Sequence, residues 1–126
     1  MAHIGNVALD VSDLQRSEQF YQDVLGLQVV ARIETDRVRA IIVGTPGIGS
    51  QIELAVRTDG PDPIKPSGIW KVFVFADDAQ VLFDAAVAAG ATPVAPPKLL
   101  EAFGIVLAFV EDPDGYLIEI GQRVSS

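Results

Sequence analysis

The sequence predicts an α+β fold made of two βαβββ repeats, and three spacings predict it. Gln15 and Gln80, in equivalent places of two amphipathic helical segments, stand 65 positions apart. The glycines that end those segments, Gly26 and Gly90, stand 64 apart. Glu53 and Glu119, each set inside an apolar strand, stand 66 apart.

The first helix is expected over residues 13–27, DLQRSEQFYQDVLGL, where Leu14, Phe20, Tyr21, Val24 and Leu25 form an apolar stripe. Ser12 with Gln15 fits a capping box, and Gly26 fits the stop. The second is expected over 77–91, DDAQVLFDAAVAAGA, with Asp77 and Gln80 in the capping places, Leu82, Phe83, Ala86 and Val87 in the stripe, and Gly90 as the stop. Phe20 and Tyr21 are read as helix-packing residues.

Each helix follows an apolar strand, NVALDV at 6–11 or KVFVFA at 71–76, and precedes three more. Those are expected at about 27–34, 38–44 and 50–57 in the first repeat and about 92–96, 104–110 and 116–122 in the second. Between them TDGPDPIKPSG, residues 58–68, has the proline and glycine content of a linker. The reading is one domain over 1–126, with units at 1–57 and 69–126. The turn Asp112-Pro113-Asp114-Gly115 sets up the last strand: proline presets φ, and Gly115 tolerates a positive one.

At 126 residues with 49% hydrophobic and 21% charged side chains, the chain is globular rather than disordered. A net charge of −8 with scattered basic residues disfavours nucleic acid and anionic membranes as partners. The absence of cysteine removes disulfides, thiolate metal sites and a cysteine nucleophile. No apolar run is long enough to span a bilayer, and no charged-then-apolar leader opens the chain, so a cytoplasmic protein is expected. His3 is the only histidine, which excludes a Ser-His-Asp or Cys-His scheme. Its odd spacing from Asn6 points it to the other face of a strand, and a frayed terminal histidine is expected. GTPGIG, residues 44–49, lacks the Lys-Ser/Thr of a phosphate loop and precedes a strand, so it reads as a hairpin loop.

The segments NVALDVSDLQRSEQFYQDVLGLQV (6–29), IEL (52–54) and EDPDGYLIEI (111–120), in this repeat order, resemble the vicinal oxygen chelate superfamily of glyoxalase I, bleomycin-resistance proteins and extradiol dioxygenases. That resemblance implies curled mixed sheets enclosing a cavity between paired units. It also implies that metal-binding members carry ligands, usually two His and two Glu, on the first and fourth strands of each unit. Those places fall here on Asn6, Glu53, Lys71 and Glu119. The two carboxylates remain, but both histidine places are lost. An amide oxygen is a weak ligand for Zn²⁺, Ni²⁺ or Fe²⁺, and an ammonium has no lone pair to give. Two facing carboxylates repel, so the expectation is that the Lys71 ammonium lies between Glu53 and Glu119 where relatives hold an ion, with Asn6 completing the hydrogen bonding. No metal and no cofactor are expected.

For Glu53 and Glu119 the alternative is a water-facing sheet surface, where polar residues alternate with apolar ones. Lys71 is expected to be a counter-ion or ligand donor. Arg39, Phe73 and Phe103 are further candidate ligand-binding residues, Phe103 because relatives often bring an aromatic over the cavity there, while Arg39 reads equally as a surface arginine. Trp70 is expected to face away from Lys71. Val38, Ala40, Ile42, Phe73, Phe75 and Leu117 suit either a pocket for a small, partly hydrophobic ligand or a filled core. The expected function is metal-independent binding of such a ligand in the cavity between paired units. The alternatives are a small lyase, isomerase or epimerase using Glu53 or Glu119 as proton acceptor, with or without a metal, and a degenerate domain that pairs with another protein. A homodimer is expected, since half-open sheets leave apolar edges to cover.

Overall fold

The computed structural model of the chain describes residues 5–67 and 69–124. His3 lies outside them. The chain divides into two compact units, Met1–Lys65 and Pro66–Ser126, so the division falls inside the proline-rich segment. Each unit is a four-stranded mixed sheet with one helical segment, the βαβββ order expected from the repeats.

In the first unit β1 (Asn6–Asp10), β2 (Gln28–Glu34), β3 (Val38–Thr45) and β4 (Ile48–Arg57) form a sheet of order β1-β4-β3-β2. In the second, β5 (Val72–Phe75), β6 (Thr92–Leu100), β7 (Ile105–Glu111) and β8 (Leu117–Arg123) repeat it as β5-β8-β7-β6. The first and last strands of each unit pair in parallel, and the rest are antiparallel. The last strand of each unit therefore sits centrally, next to the first, which is what brings residues distant in sequence side by side.

Strand alternation sends one set of side chains to a helix-covered face. In the first unit Leu9, Ile41, Val43 and Leu54 are buried, and α1 (Leu14–Gln19) packs on β3 and β4 with Phe20 and Tyr21 beneath it. In the second, Ala108, Val110, Ile118 and Ile120 are buried and α2 (Ala79–Ala88) packs on β6, β7 and β8. Gln122 lies on that face too, and its Oε1 accepts the first amide of α2, Ala79 N, at 2.8 Å.

The caps stand one residue beyond the expected ones. Asp13 Oδ1 accepts from Arg16 N at 3.0 Å, and Asp78 Oδ1 accepts from Val81 N at 3.1 Å. Both caps have extended backbone, φ −142°, which Ser12 and Asp77 were expected to supply. Ser12 instead accepts from the Arg16 guanidinium at 2.7 Å. The first helix also changes character, because residues Phe20–Val24 form a π-helical turn with Leu25 N donating to Phe20 O at 3.1 Å. The first unit has one more residue between cap and stop glycine than the second, and the π turn absorbs it.

β6 runs to Leu100, past its expected end, although it contains Pro93, Pro96 and Pro97. It is an edge strand with two register shifts, and an edge tolerates prolines because one side of its backbone has no ladder to donate to. GTPGIG closes the β3–β4 hairpin, with Gly47 at φ 76° after Pro46. Among the described residues no helix is long and apolar enough to cross a membrane.

Replacing Asp13 or Asp78 with Ala should lower stability by about 1 kcal/mol each, read as a lower urea midpoint at unchanged slope. Ser12→Ala and Asp77→Ala should change the midpoint by less than half as much.

Candidate functional site

Register places the two glutamates at one equivalent point of the two repeats. Glu53 is opposite Ala8 on β1 and Ile42 on β3. Glu119 is opposite Phe73 on β5 and Phe109 on β7. Each lies one residue from a fully buried leucine or isoleucine, and so on the face turned away from the helix. Val38, Ala40 and Ile42 share Glu53's face, and Phe73, Phe75 and Leu117 share Glu119's.

Glu119 is 5% exposed, whereas Glu53 is only half-buried. The Lys71 ammonium forms an ion pair with Glu119 Oε1. This is charge pairing more than aligned hydrogen bonding, since the same oxygen is buried with no hydrogen bond of good geometry. The Lys71 ammonium also lies 4.1 Å from the centre of the Trp70 ring. Trp70 thus accompanies Lys71 instead of facing away. Both precede β5, where strand alternation does not yet hold.

At the far end of each face an arginine reaches the first strand. In the first unit Arg57 grips Asp10 in a bidentate pair, Nε to Oδ1 at 2.6 Å and Nη2 to Oδ2 at 2.9 Å. Its equivalent in the second unit, Arg123, lies 4.2 Å over the Phe75 ring. Phe75 packs edge-on against Phe73, with ring centres 4.8 Å apart. Gly121 makes room for this: a Cβ there would stand 2.5 Å from Phe73 Cζ. Ala8 and Ala55 hold the corresponding places in the first unit.

The Arg57 hydrogen bond, helped by charge attraction and opposed by burial, holds the Asp10 carboxyl below its ordinary value. A cleft of about 330 Å³ opens beside this pair, lined by Asp10, Ser12, Arg57, Thr58 and Gly60 among others. It contains none of the site residues expected from the sequence.

Among those residues the structure joins Lys71, Glu119 and Phe73 on one sheet face. Asn6 shares Glu53's face but is exposed, and no hydrogen bond joins the two among the described residues. Arg39 requires correction. Its partner is Val56, so it lies on the face of Ile41 and Leu54, opposite Glu53, and it lines a cleft of about 220 Å³ with Arg37 and Thr35. Strand parity decides this, because Arg39 sits an odd number of places from Ile42. Phe103 lies on a 3₁₀ turn, Glu101–Phe103, and is 79% exposed. Arg57, Asp10 and Arg123 were missed, yet the 66-residue offset between the two arginines repeats that of the glutamates and would have found them.

The strand order, duplicated units and glutamate positions define a known class. Residues 3–120 match the family model of the Glyoxalase/Bleomycin resistance protein/Dioxygenase superfamily, and the chain belongs to that superfamily. A probable lactoylglutathione lyase of Vibrio cholerae is 30% identical over 124 residues, covering 95% of this chain and 90% of that protein. In solved structures, the trypanothione-dependent glyoxalase I of Leishmania major aligns at TM-score 0.80 and 21% identity, covering 98% of this chain and 88% of that one. TnmS3, an antibiotic binding protein from Streptomyces sp. CB03234, aligns at TM-score 0.76 and 21% identity over 98% and 97% of the two chains. These structural likenesses bear on the fold.

The donors present do not fit the divalent ion that the resemblance to metal-binding members implies. Asn6 and Lys71 stand where histidines would, and the Lys71 ammonium is already paired with Glu119. An ammonium donates hydrogen bonds only and repels a second cation. No group of three or more His, Cys, Asp or Glu side chains is gathered among the described residues.

Two stability predictions follow from these pairs. Lys71→Met should destabilise by about 2–3 kcal/mol, less than the 3–5 kcal/mol of a fully buried pair because Lys71 keeps some water contact. Adding Glu119→Gln should recover most of the loss, and a double-mutant cycle in urea measures it. For Asp10, a carboxyl lowered in the folded state contributes stability above its unfolded value and loses it as pH falls through the folded one. Wild-type stability should therefore drop faster below about pH 4 than that of Asp10→Asn, by no more than about 1 kcal/mol for a pair this exposed.

Proposed function

We propose that this protein binds a small, partly hydrophobic or aromatic molecule without a metal, and that the open face of the second sheet is the receiving surface. The observation that carries the reading is the Lys71–Glu119 ion pair. It balances the carboxylate from within the chain, at a point where the family resemblance implies an ion. The rings beside it supply apolar contact area: Phe73 and Phe75 remain substantially exposed on that face.

On this reading Glu119 and Lys71 present a fixed dipole to the ligand, and Phe103 is a further ring contact from the same unit. A polar role for Glu53 and Asn6 on the open face of the first sheet is part of the proposal and rests on the matched repeat positions. So is a homodimer, supported by exposed apolar side chains on the edge strands: Val7 on β1, Val30 on β2, Phe75 on β5 and Leu99 on β6.

A second reading has its own support, because the relative from Vibrio cholerae is called a probable lactoylglutathione lyase. In that case Glu53 or Glu119 is the proton acceptor, and the chemistry proceeds without the ligand set of the metal-dependent members.

Thermal-shift and calorimetric screening against aromatic antibiotics and hydroxy- or keto-acid metabolites separates the two. A ligand that is bound and recovered unchanged supports the binding protein. At a hundredfold excess over Kd it should stabilise by about 2.7 kcal/mol, a rise of about 10 °C in Tm for a chain of this length. Formation of lactoylglutathione, abolished by Glu119→Gln in a folded protein, would establish the lyase and overturn the first reading.

A further inference from the structure

The two repeats treat one arginine differently, and the difference concerns the ligand's charge. Arg57 and Arg123 stand at the same point of β4 and β8. Arg57 spends two of its nitrogens on Asp10, which neutralises it. The second repeat has Phe75 where the first has Asp10, and the guanidinium stacks at 4.2 Å over the ring. A ring orients a guanidinium without occupying its in-plane N–H donors. Among the described residues Arg123 has no carboxylate partner, and it is exposed.

Its register neighbours within the sheet are uncharged. The register partner of Arg123 is Ile105, and Gly121 and Phe75 complete its neighbourhood on the sheet. Glu119 lies four residues back along β8, about 13 Å at strand rise, and already holds Lys71. The face thus carries two cations, one balanced and one unbalanced, and the unbalanced one adjoins the exposed edge of the Phe73–Phe75 pair.

We propose that Arg123 is an anion anchor at the end of an aromatic shelf, so that the ligand is a planar ring system carrying a carboxylate or comparable oxyanion. The inference rests on the binding reading above and specifies the charge of the molecule bound. The ring lies against Phe73 and Phe75, and the anion takes two parallel N–H donors of the guanidinium, the geometry that Asp10 uses on Arg57. Gly121 belongs to this device, because it lets the Phe73 ring settle onto the sheet.

Calorimetry on the full chain with 2-naphthoate and 2-naphthamide, equal in ring area and different in charge, tests it. The wild type should bind the anion at least about tenfold more tightly than the amide. Arg123→Gln should erase that preference while leaving amide affinity within about twofold, and Arg123→Lys should recover it partly, since charge returns without the fork. Equal affinities in the wild type, or a preference surviving in Arg123→Gln, would overturn the anchor while leaving a binding face intact. Binding of neither probe at millimolar concentration would overturn the shelf and the anchor together. Gly121→Ala, which displaces the Phe73 ring, should weaken both probes alike, and unchanged affinity for both would contradict the shelf.

Discussion

A carboxylate held away from water on a sheet face must meet a positive charge, and the second unit is arranged around that requirement. Removing a carboxylate from solvent costs several kcal/mol even after the protein relaxes, so Glu119 without a partner would be a serious defect. The parallel β5–β8 pairing supplies the remedy, because it brings the segment entering β5 alongside the start of β8, where Lys71 reaches Glu119. Lys71 is at hand for that reason. The first unit makes the same strand pairing with less at stake: Glu53 retains contact with water, and the place equivalent to Lys71 holds the uncharged Asn6.

Once an internal cation balances the acid, other positions are free to diverge. Ala8 corresponds to Phe73, Asp10 to Phe75, and Ala55 to Gly121. The last of these is coupled to the first by geometry, since the Phe73 ring needs the space a Cβ at 121 would take. The outcome is one repeat whose open face ends in a closed Asp–Arg pair and another whose face ends in rings and an arginine without an acid. Duplication preserved the strand order, while a few side chains changed what the two faces present.

Much of this was legible in the sequence because repeats share constraints. The offsets of 65, 64 and 66 residues located both helices, both stop glycines and the paired glutamates. The slip from 65 to 64 across the helix was itself a signal, since one surplus residue between matched ends has to bulge somewhere, and it does so in the Phe20–Val24 turn. Local competition hid the rest. Ser12 and Asp13, or Asp77 and Asp78, are both able to cap, and only backbone conformation chooses between them. The strand expected at about 92–96 runs on to Leu100, because its edge position lets it carry Pro96 and Pro97. Strand parity along β3 puts Arg39 on the face opposite Glu53 and leaves it a surface arginine, while Trp70 lies before β5, where alternation does not reach.

The central claim is that lysine has replaced a divalent ion beside Glu119, and metal content tests it most directly. The protein and its Lys71→His variant would be equilibrated with Ni²⁺ and Zn²⁺, desalted and measured by plasma mass spectrometry. The account predicts no stoichiometric metal in the wild type and a gain of affinity in the variant, where an imidazole lone pair stands in for the ammonium. A wild-type chain that retains one tightly held ion, and loses it on Glu119→Gln, would contradict the account.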